Sequence, residues 1–352
     1  MKKLSLHPQR LTTGIALLTL SLGCAKVNFA DDTQSQQSVQ AVTKTVSSSQ
    51  TVTPYNKQVD FLLVLDDSNS MLPELKKLSA RMSSFVNFLE ANQIDWQMCV
   101  TTTRGSHFGQ YLSWNNYLPP SGSPNFVLAR GTSNLSTIFT STINSISIGG
   151  SESADERAIK AAFVSFASGG SCYRPGAAVS VIAISDEDER SVGGDPNKVK
   201  KKDAAGVLLP LEPEDLPANL IAQAQNSFGS NVRFTFNSII VKPGDLACEK
   251  KQDTEDSPSH VGYTYAALSQ LTNGGVGSIC DADYSANLNT FKNKVVNSLN
   301  QINMQCEPVS GSVKVWVNKR LVSNYRTEKR ALYFDRELTE GTLIDLVYDC
   351  QE

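Results

Sequence analysis

At 352 residues, with 32 basic and 35 acidic side chains, the chain has a formal charge of −3, which excludes the basic stripe that nucleic-acid binding demands. A hydrophobic fraction of 40% suffices for a substantial core and for more than one domain. No segment beyond the N-terminal region approaches the length of a membrane span.

Lys2, Lys3 and Arg10 form a basic region beside an apolar stretch, residues 11–22, too short to span a bilayer comfortably. The stretch runs into Leu20-Ser21-Leu22-Gly23-Cys24, which resembles a bacterial lipobox, with Ser21 where the box usually has Leu. The resemblance implies cleavage ahead of Cys24 and lipidation of its thiol. Ala25 stands where a retention signal would want Asp, so it also implies an outer-membrane lipoprotein, facing the periplasm or the exterior. The alternative is an ordinary secretory peptide that happens to carry a Cys. Removing residues 1–23 takes away three basic residues and no acidic one, leaving a charge of −6. Residues 24–57 are rich in Ser, Thr, Gln and Val and have no aromatic between Phe29 and Tyr55, a composition that predicts a flexible tether.

Residues 59–65 are a near-continuous apolar run, the pattern of a central strand covered on both faces. Leu72, Leu75, Leu78, Met82, Phe85 and Leu89 then recur at helical spacing and read as core. Further strands are predicted at residues 96–100, 126–129, 177–184, 232–241 and near Val276. Helices are predicted at 134–146, 154–166, 216–228, 263–271 and 288–302. This alternation implies a mostly parallel, doubly wound α/β sheet over residues 58–303. In residues 304–352, Val313, Val315 and Val317 alternate with Lys314, Trp316 and Asn318, and residues 343–348 are strand-like. They read as a small all-β module, whose thin core needs a disulfide or packing on the first domain.

Six cysteines follow Cys24: Cys99, Cys172, Cys248, Cys280, Cys306 and Cys350. An even number in an exported chain points to disulfides. None forms a Cys-x-x-Cys pair, and order along the chain suggests Cys99–Cys172, Cys248–Cys280 and Cys306–Cys350.

The apolar run at 59–65 ends in Asp66-Asp67-Ser68-Asn69-Ser70, which brings one carboxylate and two hydroxyls to the carboxyl edge of a sheet. Open α/β folds bind their ligands there. Hard oxygen donors suit Mg²⁺, Mn²⁺ or Ca²⁺, and no thiol or imidazole is near in sequence to invite zinc. The spacing resembles the metal-ion-dependent adhesion site of von Willebrand factor type A domains, Rossmann-like α/β folds, and the resemblance covers residues 58–303. It implies three loops meeting above the sheet. Asp66, Ser68 and Ser70 match the first. The second offers a Thr hydroxyl in the family; Ser153, six residues before Ile159, matches it, with Ser151 as a substitute. Asp186, after the strand at 177–184, matches the third, which faces the metal through water. An open coordination position would then take a carboxylate from a protein or surface ligand. Two readings stay open beside these. Ser153-x-x-Glu156 is also a capping box. Glu187-Asp188-Glu189-Arg190 reads as a solvated acidic loop, with a second cation as the alternative. Asp67 falls on an x position of the motif and is expected to tolerate Asn.

Three rival readings remain in view. One is a type A domain that is purely structural, its site unused. Residues 63–68 also resemble the first strand of a phospho-receiver, with Val241-Lys242-Pro243 imitating its late Lys-Pro, but the separations exceed a receiver's length. For a hydrolase, His107 and His260 lie in no Gly-x-Ser-x-Gly or His-Glu-x-x-His context. No nucleophile, base and orienting group can be assembled, so no enzyme activity is expected.

Overall fold

The computed structural model describes residues 43–52, 57–146, 156–191, 211–254, 259–299, 301–336 and 338–351, which fall in the unit Val42–Glu352. The segment 1–23, Cys24, Ser151 and Ser153 lie outside the described residues. In chain order the elements are β1 (Thr43–Thr51), β2 (Gln58–Leu65), α1 (Leu72–Ala91), β3 (Asp95–Thr102), β4 (Leu128–Ala129), α2 (Leu135–Asn144) and α3 (Ala158–Ser168). There follow β5 (Ala178–Ile184), α4 (Pro217–Phe228), β6 (Phe234–Ile240), α5 (Leu246–Asp253), α6 (Tyr263–Leu271), β7 (Val276–Ser278) and α7 (Ser285–Leu299). The chain closes with β8 (Gln301–Asn303), β9 (Lys314–Val317), β10 (Arg320–Val322), β11 (Tyr325–Glu328), β12 (Ala331–Phe334) and β13 (Leu343–Gln351).

The six-stranded sheet has the order β4-β3-β2-β5-β6-β7. All neighbours in it run parallel except the short edge strand β4. Because β2 is apolar on both sides, its alternate residues feed two cores. Val59, Phe61, Leu63 and Leu65 join the cluster that includes α1, α2 and α7 residues. Leu62 and Val64 join the cluster built with α3, α4 and α6. Each fully buried Leu or Phe contributes roughly 1.5–3 kcal/mol of transfer free energy, which is why the central strand anchors the fold. The fold is therefore the mixed α/β, mostly parallel sheet that the alternation implies. Strand order reverses between β2 and β5, where Leu65 pairs with Ile184, so the residues after both strands emerge side by side.

One polar residue interrupts the apolar run of β2. Asp60 is buried and accepts hydrogen bonds from the backbone N–H and Nε of Arg174 at 2.5 and 2.7 Å. Burial raises its carboxyl to about 6, with the Arg174 charge pulling the other way.

The composition of residues 24–57 predicts a tether, but residues 43–51 form β1, paired antiparallel with β13 from Thr43–Gln351 to Thr51–Leu343. Thr45 and Ser49 hydroxyls donate to Asp349 and Asp345 at 2.6 Å each. The terminal β module is thus built from both flanks of the α/β sheet. One of its sheets is β1-β13-β9-β10, and the other, β11-β12-β8, starts ahead of residue 304. Val46, Ile302, Val315, Leu332, Ile344, Leu346 and Tyr348 form its core. On β13 these inward residues alternate with outward Leu343, Asp345, Val347 and Asp349. Disulfides join Cys99–Cys172, Cys248–Cys280 and Cys306–Cys350, with Cα atoms 5.9, 5.7 and 5.9 Å apart, spacings an unstrained bridge accepts. Among the described residues no helix is long and apolar enough to cross a membrane.

Candidate functional site

Asp66 leaves β2 while still in the ladder, its N–H donating to the Ile184 carbonyl at 3.0 Å. Its Oδ1 accepts from the Ser68 N–H at 2.8 Å, a side-chain turn that bends the chain at once. A single 3-10 turn, Asn69–Met71, leads into α1, which has Pro73 in its first turn. That bend sets the two hydroxyls together, Ser68 Oγ lying 3.0 Å from Ser70 Oγ. The second Asp66 oxygen accepts from Ser185 Oγ at 2.6 Å. Asp186 follows Ser185, has the Ser70 hydroxyl near its carboxylate, and its backbone carbonyl accepts from the His260 N–H at 3.0 Å. Asp66, Ser68, Ser70 and Asp186 therefore meet above β2 and β5, in the crevice where strand order reverses.

Both carboxylates are buried. Burial pushes Asp66 up to about 7 against the hydrogen bonds from Ser185 and Ser68, and the Glu187 charge adds to the rise. Burial, and next the facing charge of Asp66, hold Asp186 well above the usual carboxylate range. Asp186 Oδ1 is buried with no hydrogen-bond partner among the described residues. Two carboxyls that resist ionising side by side, an orphaned oxygen and a hydroxyl pair form a donor set to which a hard divalent cation is fitted. Among the described residues, no group of three or more His, Cys, Asp or Glu side chains is placed to hold a metal.

The loop after Asp186 is not the solvated acidic stretch that its composition suggests. Glu187, Asp188, Glu189 and Arg190 are all buried. Asp188 accepts from the Thr264 N–H and hydroxyl at 3.0 and 2.8 Å and so caps α6. Glu189 accepts from the amides of Ile159 and Lys160 at 2.8 and 3.1 Å and so caps α3. Arg190 donates its N–H to the Glu156 carbonyl at 2.7 Å, and its guanidinium to Glu212 at 3.1 Å. Asp188 and Glu189 are thus committed to helix ends and not to solvent. They also correct the start of α3. The helix begins at Ala158, and its first amides bond Tyr265 and Glu189, so its cap comes from another loop.

Asp67 stands on the x position of the motif. It is buried, and its Oδ2 lies 2.8 Å from Arg104 Nη2, so Asn at this position would remove the charge facing Arg104. His107 Nδ1 lies 2.8 Å from Thr102 Oγ1. Ser185, which fixes the orientation of Asp66, was missed in the sequence reading; its only signal is its place one residue before Asp186.

No protein-family model matches the chain, and no curated protein matches it in sequence. Among solved structures it is similar to the pilus adhesin SpaC from Lactobacillus rhamnosus GG, at 11% identity over 87% of this chain and 41% of that one, with a TM-score of 0.38. It is similar to the human COPII-coat protein Sec24c at 10% identity over 87% and 42%, TM-score 0.40. It is similar to proximal thread matrix protein 1 from the mussel byssus at 12% identity over 72% and 50%, TM-score 0.35. The chain spans half or less of the length of these proteins.

Proposed function

We propose that the α/β part is a von Willebrand factor type A domain and that the protein is a binder rather than an enzyme. In this reading Asp66, Ser68, Ser70 and Asp186 hold Mg²⁺, Mn²⁺ or Ca²⁺, with Ser153 as the second-loop hydroxyl. A bound cation supplies an open coordination position for a carboxylate of a protein or surface ligand. The observation that carries the proposal is the buried Asp186 Oδ1, without a hydrogen-bond partner among the described residues and beside the Asp66 carboxyl. Leaving such an oxygen unmatched costs free energy, and a cation would offset that cost. The chain's own residues prepare the site. Ser185 and the Ser68 amide orient Asp66, and the His260 N–H holds the Asp186 backbone.

A purely structural type A domain is the second reading. It draws support from Asp66, both of whose oxygens already accept internal hydrogen bonds. Calorimetric titration of the mature chain with each of the three cations separates the two. Saturable heat that disappears in Asp66→Ala supports the metal site; a silent parent supports the structural reading. The three disulfides are compatible with export. Anchoring through Cys24 is tested by Cys24→Ala, which should leave the membrane fraction; a variant still bound to membrane would defeat that part of the proposal.

A further inference from the structure

The chain leaves β3 through three consecutive threonines, Thr101, Thr102 and Thr103, all of them buried. Two of the hydroxyls have partners. Thr101 donates to the His107 carbonyl at 3.2 Å, and Thr102 Oγ1 lies 2.8 Å from His107 Nδ1. Thr103 Oγ1 is buried with no hydrogen-bond partner among the described residues. A hydroxyl can both donate and accept, and burying one unmatched costs free energy.

The backbone ladder places that hydroxyl. β3 and β2 run parallel and in register up to Thr102 and Leu65. The Thr103 N–H then donates to the Leu65 carbonyl at 3.1 Å, which carries the ladder one step on and sets Thr103 beside Asp66. Side chains alternate along a strand, and in-register residues of neighbouring strands share a face, about 5 Å apart. Leu62 and Val64 of β2 and Cys99 of β3 lie in the core on one face of the sheet. Two-residue steps from them reach Asp66 and Thr103. On the other side of Asp66 the ladder sets Ser185, one step beyond the Leu65–Ile184 pair, and its hydroxyl donates to Asp66 at 2.6 Å. Asp66 is thus flanked by a hydroxyl from each neighbouring strand, one bound to it and one unmatched. Thr103 is also held in place, because the next residue, Arg104, reaches Asp67 at 2.8 Å and ties the loop after β3 to the loop after β2.

We propose that Thr103 is a further ligand of the cation site, its hydroxyl oxygen joining those of Ser68 and Ser70. This inference rests on the metal reading given above and extends it. The type A resemblance draws its oxygens from the loops after β2, before α3 and after β5, and none from β3. Hard divalent cations take neutral oxygens beside carboxylates. A neutral donor suits this place, because a third carboxylate would add repulsion where Asp66 already raises Asp186. Coordination would also match the Thr103 oxygen, as it would the Asp186 Oδ1 on the far side of Asp66.

Calorimetric titration of the mature parent and of Thr103→Val with Mg²⁺, Mn²⁺ and Ca²⁺, paired with urea unfolding without metal, tests this. Val keeps the branched shape and drops the hydroxyl. Cation affinity should fall at least about tenfold, the scale on which even the groups that support a metal's ligands act. The metal-free urea midpoint should equal or exceed the parent's, because an unmatched buried hydroxyl is gone. Thr103→Ser, which restores the oxygen, should bind more tightly than Thr103→Val. If Thr103→Val does not fold, Thr103→Ala decides the matter by its affinity. A Thr103 that only supports the fold would give the reverse, a lower metal-free midpoint and parental affinity. Parental affinity in the folded variant, with a parent that binds, overturns this inference and leaves the metal site standing. A parent silent toward all three cations overturns the metal reading and this inference together.

Discussion

The two edges of the parallel sheet handle buried charge in opposite ways. At the carboxyl edge Asp66, Asp186, Asp188 and Glu189 are buried; at the amino edge the half-buried cations Lys57 and Arg233 stand just ahead of β2 and β6. The wiring of an α/β fold supplies the reason. Each helix that follows a parallel strand starts at the carboxyl edge and ends at the amino edge, so positive helix ends gather at one and negative ends at the other. Asp188 and Glu189 spend their charge on the amides of α6 and α3. Asp60 is the instructive exception. It is a buried acid near the amino edge, and in place of a helix start it takes Arg174 as an ion-pair partner at 2.7 Å.

That contrast can be tested by removing partners at each edge. The largest effect is expected for Arg174→Met, which strips the guanidinium from buried Asp60 and should cost about 3 kcal/mol in urea unfolding, the low end for a broken buried pair. Arg157→Met at the carboxyl edge should cost less, about 2 kcal/mol. Its partner Asp215 keeps Arg190 at 3.9 Å and accepts the Glu212 N–H at 2.7 Å. Equal losses would show that the edge does not matter. Glu189→Ala should cost about 1–2 kcal/mol, because two α3 amides lose their acceptor while its repulsion with Asp215 is relieved. Hydrogen exchange at Ile159 and Lys160 should speed up, and unchanged protection would contradict the cap.

A pH series separates the edges by window. Asp60 and Asp66 are raised in the folded chain to about 6 and about 7. The stability each contributes is complete below its unfolded value and is lost as pH rises through the folded value. Asp60→Asn should flatten that loss up to about pH 6, and Asp66→Asn up to about pH 7, in urea midpoints without added metal. Coincident windows would mean that the two burial environments are alike. The smallest effect is expected at β1. Thr45→Val and Ser49→Ala remove exposed links to β13, and each should shift stability by no more than about 0.5 kcal/mol. A larger loss would mean that side chains, and not the backbone ladder, hold this strand.

The sheet and its principal helices are legible in the chain because apolar periodicity is local. The run through Phe61 and Leu65, the stripe from Leu72 to Leu89 and the alternation from Val313 to Asn318 each carry their own pattern. Asp66-x-Ser68-x-Ser70 is legible for a related reason, since the Asp66–Ser68 turn closes within two residues. Asp186 is legible from its position after an apolar strand. Other features are not. β1 has one buried residue in nine, and its Ser and Thr side chains say nothing of a partner some 300 positions away. α5 is mostly polar, with Cys248 and Gln252 its buried residues. Asp60 hides in an apolar run, and residues 187–190 look like a surface loop.

Local pattern thus settled the parallel strands, most of their helices and the strand ends at which Asp66 and Asp186 stand. The fate of the polar residues was left to the assembled fold. Whether a carboxylate faces water, caps a helix or pairs with an arginine depends on groups from distant segments, as when Glu189 meets the start of α3 or Arg174 meets Asp60. Burial makes each such encounter worth kilocalories, and its partner is named only when the chain has closed.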